Sequence, residues 1–203
     1  MSPADRWNHN IHYHPLLLAA VRPGSRVLDV GCGEGTLTRA AAQTAASVIG
    51  IDLHAPSIEL AQATTAEANV AYVCGDVFKA TFAPATFDAV LSVATLHHLG
   101  AEAGLQRLRE WVRPGGTLGV IGLAASAYPR DLLWEVGGAI GTRLHKLNKR
   151  YWEHSAPTLW PPPETYTQVR RIAEQLLPGV QFRRHLLWRY SLVWRRPQLP
   201  PQP

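Results

Sequence analysis

The chain has 203 residues, 46% of them hydrophobic, with a formal net charge of +5 and two cysteines. That length suits one domain with a sizeable core, and no apolar run reaches the roughly 18 residues of a membrane span. With neither a signal-peptide pattern nor a paired-cysteine framework, a small disulfide scaffold is excluded and a cytoplasmic protein is expected.

The first distinctive run is Trp7-Asn8-His9-Asn10-Ile11-His12-Tyr13-His14. Its closely spaced histidines could hold a divalent ion, but no carboxylate or cysteine cluster with ligand spacing accompanies them, so no metal site is expected. Pro23-Gly24-Ser25 then supplies a turn into a first strand over 27–30, where Val27, Leu28 and Val30 make the short apolar run of a strand buried on both faces. Gly31, Gly33 and Gly35 follow at alternate positions around Cys32, and 36–43 has a composition that favours helix. Glycines there let the backbone turn sharply and let a ligand lie against it without meeting a Cβ. On their own they would also suit a plain turn.

A second strand over 47–51 ends in Asp52, about 20 residues beyond the glycines, the offset at which an acid meets ribose hydroxyls. After a helix over 55–66, a third strand over 70–74 ends in Gly75-Asp76. A fourth over 87–93 runs into Ala94-Thr95-Leu96-His97-His98-Leu99. A helix over 101–112 and Arg113-Pro114-Gly115 precede a fifth strand over 116–121. Alternation of strand and helix predicts an α/β fold, doubly wound around a mainly parallel sheet. Ligands of such sheets sit beyond the carboxyl ends of the strands, where the glycines, Asp52, Asp76 and His97 all fall. Asp52 and Asp76 could instead cap helices or turns, but their register with the glycines favours the ligand. Asp88, inside a strand pattern, is expected to satisfy a loop or neighbouring strand. Cys32 and Cys74 end the first and third strands, about 10 Å apart if the second lies between, beyond the roughly 7 Å limit for a disulfide. Both are expected as free thiols.

In order and spacing, the run 27–35, Asp52, Gly75-Asp76, Phe87-Asp88 with Leu96-His97-His98, and Arg113-Pro114-Gly115-Gly116 resemble the motifs of the class I S-adenosylmethionine-dependent methyltransferases over residues 25–122. The resemblance implies a Rossmann-like methyltransferase fold, a seven-stranded sheet with helices on both faces and its last strand antiparallel, and S-adenosyl-L-methionine as cofactor. Asp29 and the loop of Gly31, Cys32, Gly33 and Gly35 would hold the methionine end, and Asp52 the ribose hydroxyls. Leu53 and Val77 would cover the adenine, Asp76 its amino group, while Ser92 and Val93 would offer backbone groups to the methionine portion. The family's N-terminal segment often closes over the cofactor, which would bring Tyr13 and His14 to the site.

The rest of the single domain 1–203 divides into an N-terminal cap segment over 1–24, the cofactor-binding core over 25–123, a lid insertion over 124–163, and a C-terminal helix and strand pair over 164–203. Helices are expected over 130–148 and 164–177, strands over 180–187 and 190–195. The lid carries Tyr128, Trp134, Tyr151, Trp152, His154 and Trp160, a density of aromatics that suits a flat or apolar acceptor. Trp134 is expected to pack on its own helix, and Trp152, His154 and Trp160 to bind substrate.

A sulfonium donor is already activated, so the protein need only align a nucleophile with the methyl and exclude water. His97 and His98 are the candidate catalytic bases, since an ordinary imidazole titrates near pH 6.5. They could also simply close the loop. The expected activity is transfer to an O or N, with C also open, of a small aromatic or apolar molecule by a monomer or homodimer with no membrane partner. RNA is the alternative acceptor, because Arg143, Lys146, Lys149, Arg150, Arg170, Arg171, Arg183, Arg184, Arg195 and Arg196 cluster late in the chain. Against it, Leu91-Ser92-Val93-Ala94 stands where amino-methylating nucleic-acid enzymes of the family carry an Asn/Asp-Pro-Pro-aromatic tetrad. A cofactor-binding protein without transferase activity is a further alternative. A nicotinamide dehydrogenase is disfavoured by the Gly-x-Gly-x-Gly spacing.

Overall fold

Apolar runs with no polar alternation make the central strands, because helices cover them from both sides. In the computed structural model, which describes residues 6–148, 150–152 and 159–198, the chain order begins with β1 (Arg6–Trp7), a 3₁₀ turn (Ile11–Tyr13) and α1 (His14–Leu18). Next come β2 (Arg26–Val30), α2 (Thr36–Ala42), β3 (Ser47–Asp52), α3 (Ala55–Thr64), β4 (Val70–Cys74), β5 (Phe87–Val93), α4 (Leu96–Leu99), α5 (Ala101–Trp111) and β6 (Val112–Gly122). The remainder is α6 (Leu132–Asn148), β7 (Arg150–Tyr151), α7 (Tyr166–Leu176), β8 (Gln181–His185) and β9 (Arg189–Arg195).

Seven strands form one sheet in the order β4-β3-β2-β5-β6-β9-β8. The strands from β4 to β6 run parallel, and β9 inserts antiparallel between β6 and β8. This is the mainly parallel, doubly wound sheet with an antiparallel last strand that the sequence led us to expect. Successive side chains point to opposite faces. Leu28, Val30, Val90, Leu118 and Val120 therefore pack under α5 and α7 with Trp111, Val169 and Ala173, while Val27, Val48, Ala89 and Leu91 pack on the other face with Leu17, Leu37 and Ala41. The edge strands β4 and β8 are the exposed ones.

Several boundaries move. Strand β6 starts at Val112 instead of 116, its register broken against β5 between Phe87 and Ala89, so Val112 to Gly115, read as preceding the strand, lie within it. The helix read as 55–66 ends at Thr64, that read as 130–148 starts at Leu132, and the strand read as 180–187 ends at His185. Helix α7 starts at Tyr166, where the Thr165 hydroxyl accepts from the Gln168 backbone and the Gln168 side chain accepts from that of Thr165. At the amino edge Asp88 accepts from the Arg26 backbone at 2.8 Å and pairs with Arg113, the neighbouring-strand role expected of it. Cys32 and Cys74 are both free.

A further pairing joins the N-terminal segment to the residues after α6: β1 lies parallel to β7, with Trp7 opposite Tyr151. Trp7 stacks on His145 of α6 at 4.8 Å and meets Tyr151 edge-on. Among the described residues no helix is long and apolar enough to cross a membrane.

Candidate functional site

The parallel registers align the carboxyl ends of β2, β3, β4 and β5 along one edge, Val30 beside Ile51 and Ser92, and Asp52 beside Cys74. A cleft of about 860 Å³ lies over that edge. The glycine loop forms its floor. Gly31 and Gly35 hold positive φ, and a Cβ at either would collide, with the Thr95 side chain at 1.9 Å or the Tyr72 hydroxyl at 2.1 Å. Gly33 differs: its φ is +51° and a Cβ there would meet nothing within 4 Å, so its surface is open to the cleft. Gly35 caps α2 in the left-handed region and lies outside the cleft wall.

Asp52, closing β3, accepts from the Gly33 amide on Oδ2 and from the His54 amide on Oδ1, each at 2.8 Å. The next residue, Leu53, lines the cleft although it is 72% exposed, and Val77 and Phe78 extend that apolar wall. Asp76 accepts from the Phe78 amide at 2.8 Å, a turn that aims Val77 and Phe78 inward. Asp29 is fully buried and accepts from the Thr38 hydroxyl at 2.6 Å. Burial pushes its carboxyl up to about 7, opposed by the Thr38 hydrogen bond and reinforced by Asp52. Cys32 lines the loop, its thiol pushed up by burial and by the Asp29 and Asp52 charges.

At the other end, β5 delivers Val93, then Ala94 with φ +52°, a sparsely populated conformation for a residue with a Cβ. The kink leads into α4 and the buried His97. Its Nδ1 is buried with no hydrogen-bond partner. Burial, helped by His98 and Arg189, lowers its pKa to about 4, so the ring is neutral near pH 7. His98 lies against it, ring centroids 4.1 Å apart, and also borders the cleft. Ser92 is fully buried, its hydroxyl donating to Val30 O at 3.0 Å, and does not line the cleft.

The outer wall comes from the N-terminal segment and from the segment after α6. Asn8, Ile11 and His14 line it from one side, and Trp152, Leu159 and Trp160 from the other. Tyr13, expected over the site, lies outside the cleft: its hydroxyl donates to Leu186 O at 2.6 Å and its ring tilts over His185. The 3₁₀ turn repeats every three residues, so Ile11 and His14 share the inward face and Tyr13 does not. His154 lies outside the described residues. Trp134 stays off the cleft, under the Arg184 guanidinium at 4.9 Å. Asn10, Phe78, Thr95 and Arg189 also line the cleft and were not anticipated. The signal for Arg189 was a lone cation in the apolar pattern Leu186-Leu187-Trp188-Arg189-Tyr190-Ser191-Leu192. Among the described residues no group of three or more His, Cys, Asp and Glu side chains could hold a metal ion. His12 instead meets Trp7, Tyr13 and His145.

Residues 27–116 match the family of the methyltransferase domain. Over 193 residues the chain is 40% identical to an uncharacterised methyltransferase of Mycobacterium tuberculosis (strain H37Rv), covering 94% of this chain and 98% of that one. It is 36% identical over 136 residues to a malonyl-[acyl-carrier protein] O-methyltransferase of Pseudescherichia vulneris, 64% of this chain and 51% of that one. Among solved structures, an S-adenosylmethionine-dependent methyltransferase from Aquifex aeolicus superposes with a TM-score of 0.63 at 16% identity, covering 96% of this chain and 98% of that one. At that identity the likeness speaks for the fold.

Proposed function

This chain belongs to the class I S-adenosylmethionine-dependent methyltransferases, and from that premise we propose that its cleft holds the methyl donor over β2 to β4 and a small acceptor over β5 and β6. S-adenosylmethionine is its cofactor, and when bound it supplies an activated methyl on a sulfonium. The observation that carries the placement is the open Gly33 surface hydrogen-bonded to Asp52, a cradle beside a carboxylate and the exposed Leu53. There Asp29, Gly31, Cys32 and Gly33 would hold the methionine end, Asp52 the ribose hydroxyls, and Leu53, Asp76 and Val77 the adenine, with Val93 beside the methionine portion. Ser92 would contribute only through its backbone, and Gly35 by shaping the loop.

The chain's own task is then alignment and exclusion of water. Residues 1–24 act as a cap and 124–163 as a lid, both parts of one domain with the core 25–123 and the C-terminal unit 164–203. Trp152, Trp160 and Leu159 would pack on the acceptor, and His154 falls in the same lid. His97, neutral at pH 7, accepts the proton of an acceptor hydroxyl or amine as the bond to carbon forms, and His98 holds the ring in place. Transfer to oxygen draws support from the O-methyltransferase named among the relatives.

A small molecule is favoured over RNA by where the cations lie. Arg170 pairs with Glu174, Arg184 with Asp131, and among the described Lys and Arg residues only Arg189 lines the cleft. The test is thermal shift with S-adenosylhomocysteine against NAD, where ligand at about 100 times its dissociation constant adds about 2.7 kcal/mol. Labelled methyl transfer to phenols and hydroxy acids, measured beside total RNA, separates the acceptors. A shift with NAD alone overturns the site, and label in RNA alone overturns the acceptor.

A further inference from the structure

One charge in the cleft has no counter-charge among the described residues. Arg189, the first residue of β9, is 7% exposed, and its guanidinium donates from Nε and Nη2 to Asn10 Oδ1 at 2.9 and 2.8 Å, and from Nη1 to the carbonyls of Leu187 and Trp188 at 3.3 and 3.2 Å. All these acceptors are neutral, and no carboxylate among the described residues pairs with it. Removing a cation from water without an opposite charge is expensive, so buried guanidiniums are found paired or in contact with anions. Nor is the placement an accident of a loose loop. Leu187 and Trp188 both hold positive φ, a strained pair for bulky residues, and Trp188 is fixed by donating to Glu135 at 2.8 Å and by packing on Gly138 of α6. The hairpin tip is held so that its carbonyls face the guanidinium.

The strand order says which molecule the charge serves. Asp29 lies in β2, Asp52 ends β3 and Asp76 follows β4, whereas β9 lies beyond β5 and β6. At about 4.8 Å per strand, Arg189 stands roughly 19 Å along the sheet edge from Asp52 and roughly 14 Å from Asp29. His97, after β5, falls between, and its Nδ1 lacks a partner. Among the described residues, carboxylates thus crowd the donor end and Arg189 is the cation at the other.

We propose that Arg189 is an acceptor-binding residue and that the acceptor of this enzyme carries a carboxylate or phosphate, gripped by the guanidinium on the far side of His97 from the methyl donor. This rests on the reading of the cleft given above. Four of the five guanidinium N–H groups are engaged, one from Nε, two from Nη1 and one from Nη2. One N–H and the whole positive charge are left for the ligand.

The probes are benzoate and phenyl phosphate, with benzamide as the neutral control, titrated at fixed ionic strength into the full chain saturated with S-adenosylhomocysteine. One charge-assisted hydrogen bond predicts that at least one anion binds roughly 10- to 100-fold more tightly than benzamide. Arg189→Gln should erase that preference while leaving S-adenosylhomocysteine affinity within about threefold. Should Arg189→Gln fail to fold, Asn10→Asp serves, since it places a carboxylate against the guanidinium and should abolish anion binding with the arginine kept. Equal binding of the anions and benzamide overturns the proposal. So does a tenfold loss of S-adenosylhomocysteine affinity in Arg189→Gln that vanishes for the decarboxylated analogue, which would assign the arginine to the donor's own carboxylate. If wild-type protein binds no S-adenosylhomocysteine, it is the donor reading that falls.

Discussion

The amide of Gly33 donates to Oδ2 of Asp52 at 2.8 Å, so the glycine loop and the end of β3 are tied together before any ligand arrives. The bond holds a positive-φ glycine flat beneath the cleft, and nothing occupies the direction a side chain would take. Gly33→Ala should therefore fold, losing on the order of 1 kcal/mol for the left-handed backbone, yet fill the surface proposed to carry the donor. S-adenosylhomocysteine affinity, read by calorimetry, should fall at least about tenfold, or 1.4 kcal/mol. Gly31→Ala is the contrast, since its Cβ would meet Thr95 at 1.9 Å and should lower the melting temperature before binding is even measured. Unchanged affinity in a folded Gly33→Ala protein would remove the loop from the donor site.

At Asp29 the proposed contact with the donor is set against stability. Burial raises its carboxyl to about 7, so the folded protein keeps a proton that the unfolded chain releases near pH 4. A raised value means that its contribution is fully present below about pH 4 and is lost as pH climbs through 7. Asp29→Asn keeps an oxygen for the Thr38 hydroxyl and removes the titration. In urea melts it should match wild type below about pH 4 and exceed it at pH 8 by up to a few kcal/mol, while binding S-adenosylhomocysteine more weakly. A variant less stable than wild type at both pH values would contradict this account.

What could be read in the sequence follows from the range of the forces involved. Strand 47–51 and its terminal Asp52 were legible because apolar runs and turn residues are local signals, and the glycine spacing is a backbone requirement written in residue type. The pairing of Trp7 with Tyr151 was not, because two-residue strands have no periodicity and their partners lie far apart in the chain. Tyr13 and His14 are neighbours, and only the 3₁₀ turn decides that His14 faces the cleft. Arg189 was legible only as an interruption of an apolar strand; its partners Asn10, Leu187 and Trp188 are brought to it by the hairpin and the cap.

His97 is neutral well below neutrality, which fixes the shape of the pH profile. With His97 as the proposed base, a value lowered to about 4 predicts a kcat that stays level from about pH 7 to pH 5 and falls only on approaching pH 4. His97→Ala should cost on the order of 10²- to 10⁴-fold in kcat with S-adenosylhomocysteine affinity retained. An acid limb near pH 6.5 that persists in His97→Ala would place the base elsewhere, and a loss under threefold would leave the ring a packing role only.

His14 provides the opposite stability signature from Asp29. It is buried at the start of α1, and desolvation lowers its pKa to about 4. The unfolded chain takes up a proton near pH 6.5 while the folded one refuses it, so the stability of the neutral form is whole above about 6.5 and is lost as pH falls towards 4. His14→Gln removes that uptake. Between pH 7 and 5 the wild-type protein should lose on the order of 2 kcal/mol relative to the variant in urea unfolding, with Asp29 contributing equally to both and cancelling in the comparison. His9, held near 4 chiefly by burial, contributes in the same direction but is half exposed and screened by solvent, so His9→Gln should change the profile less. Parallel pH profiles for wild type and His14→Gln would mean that His14 protonates in place without opening the cap.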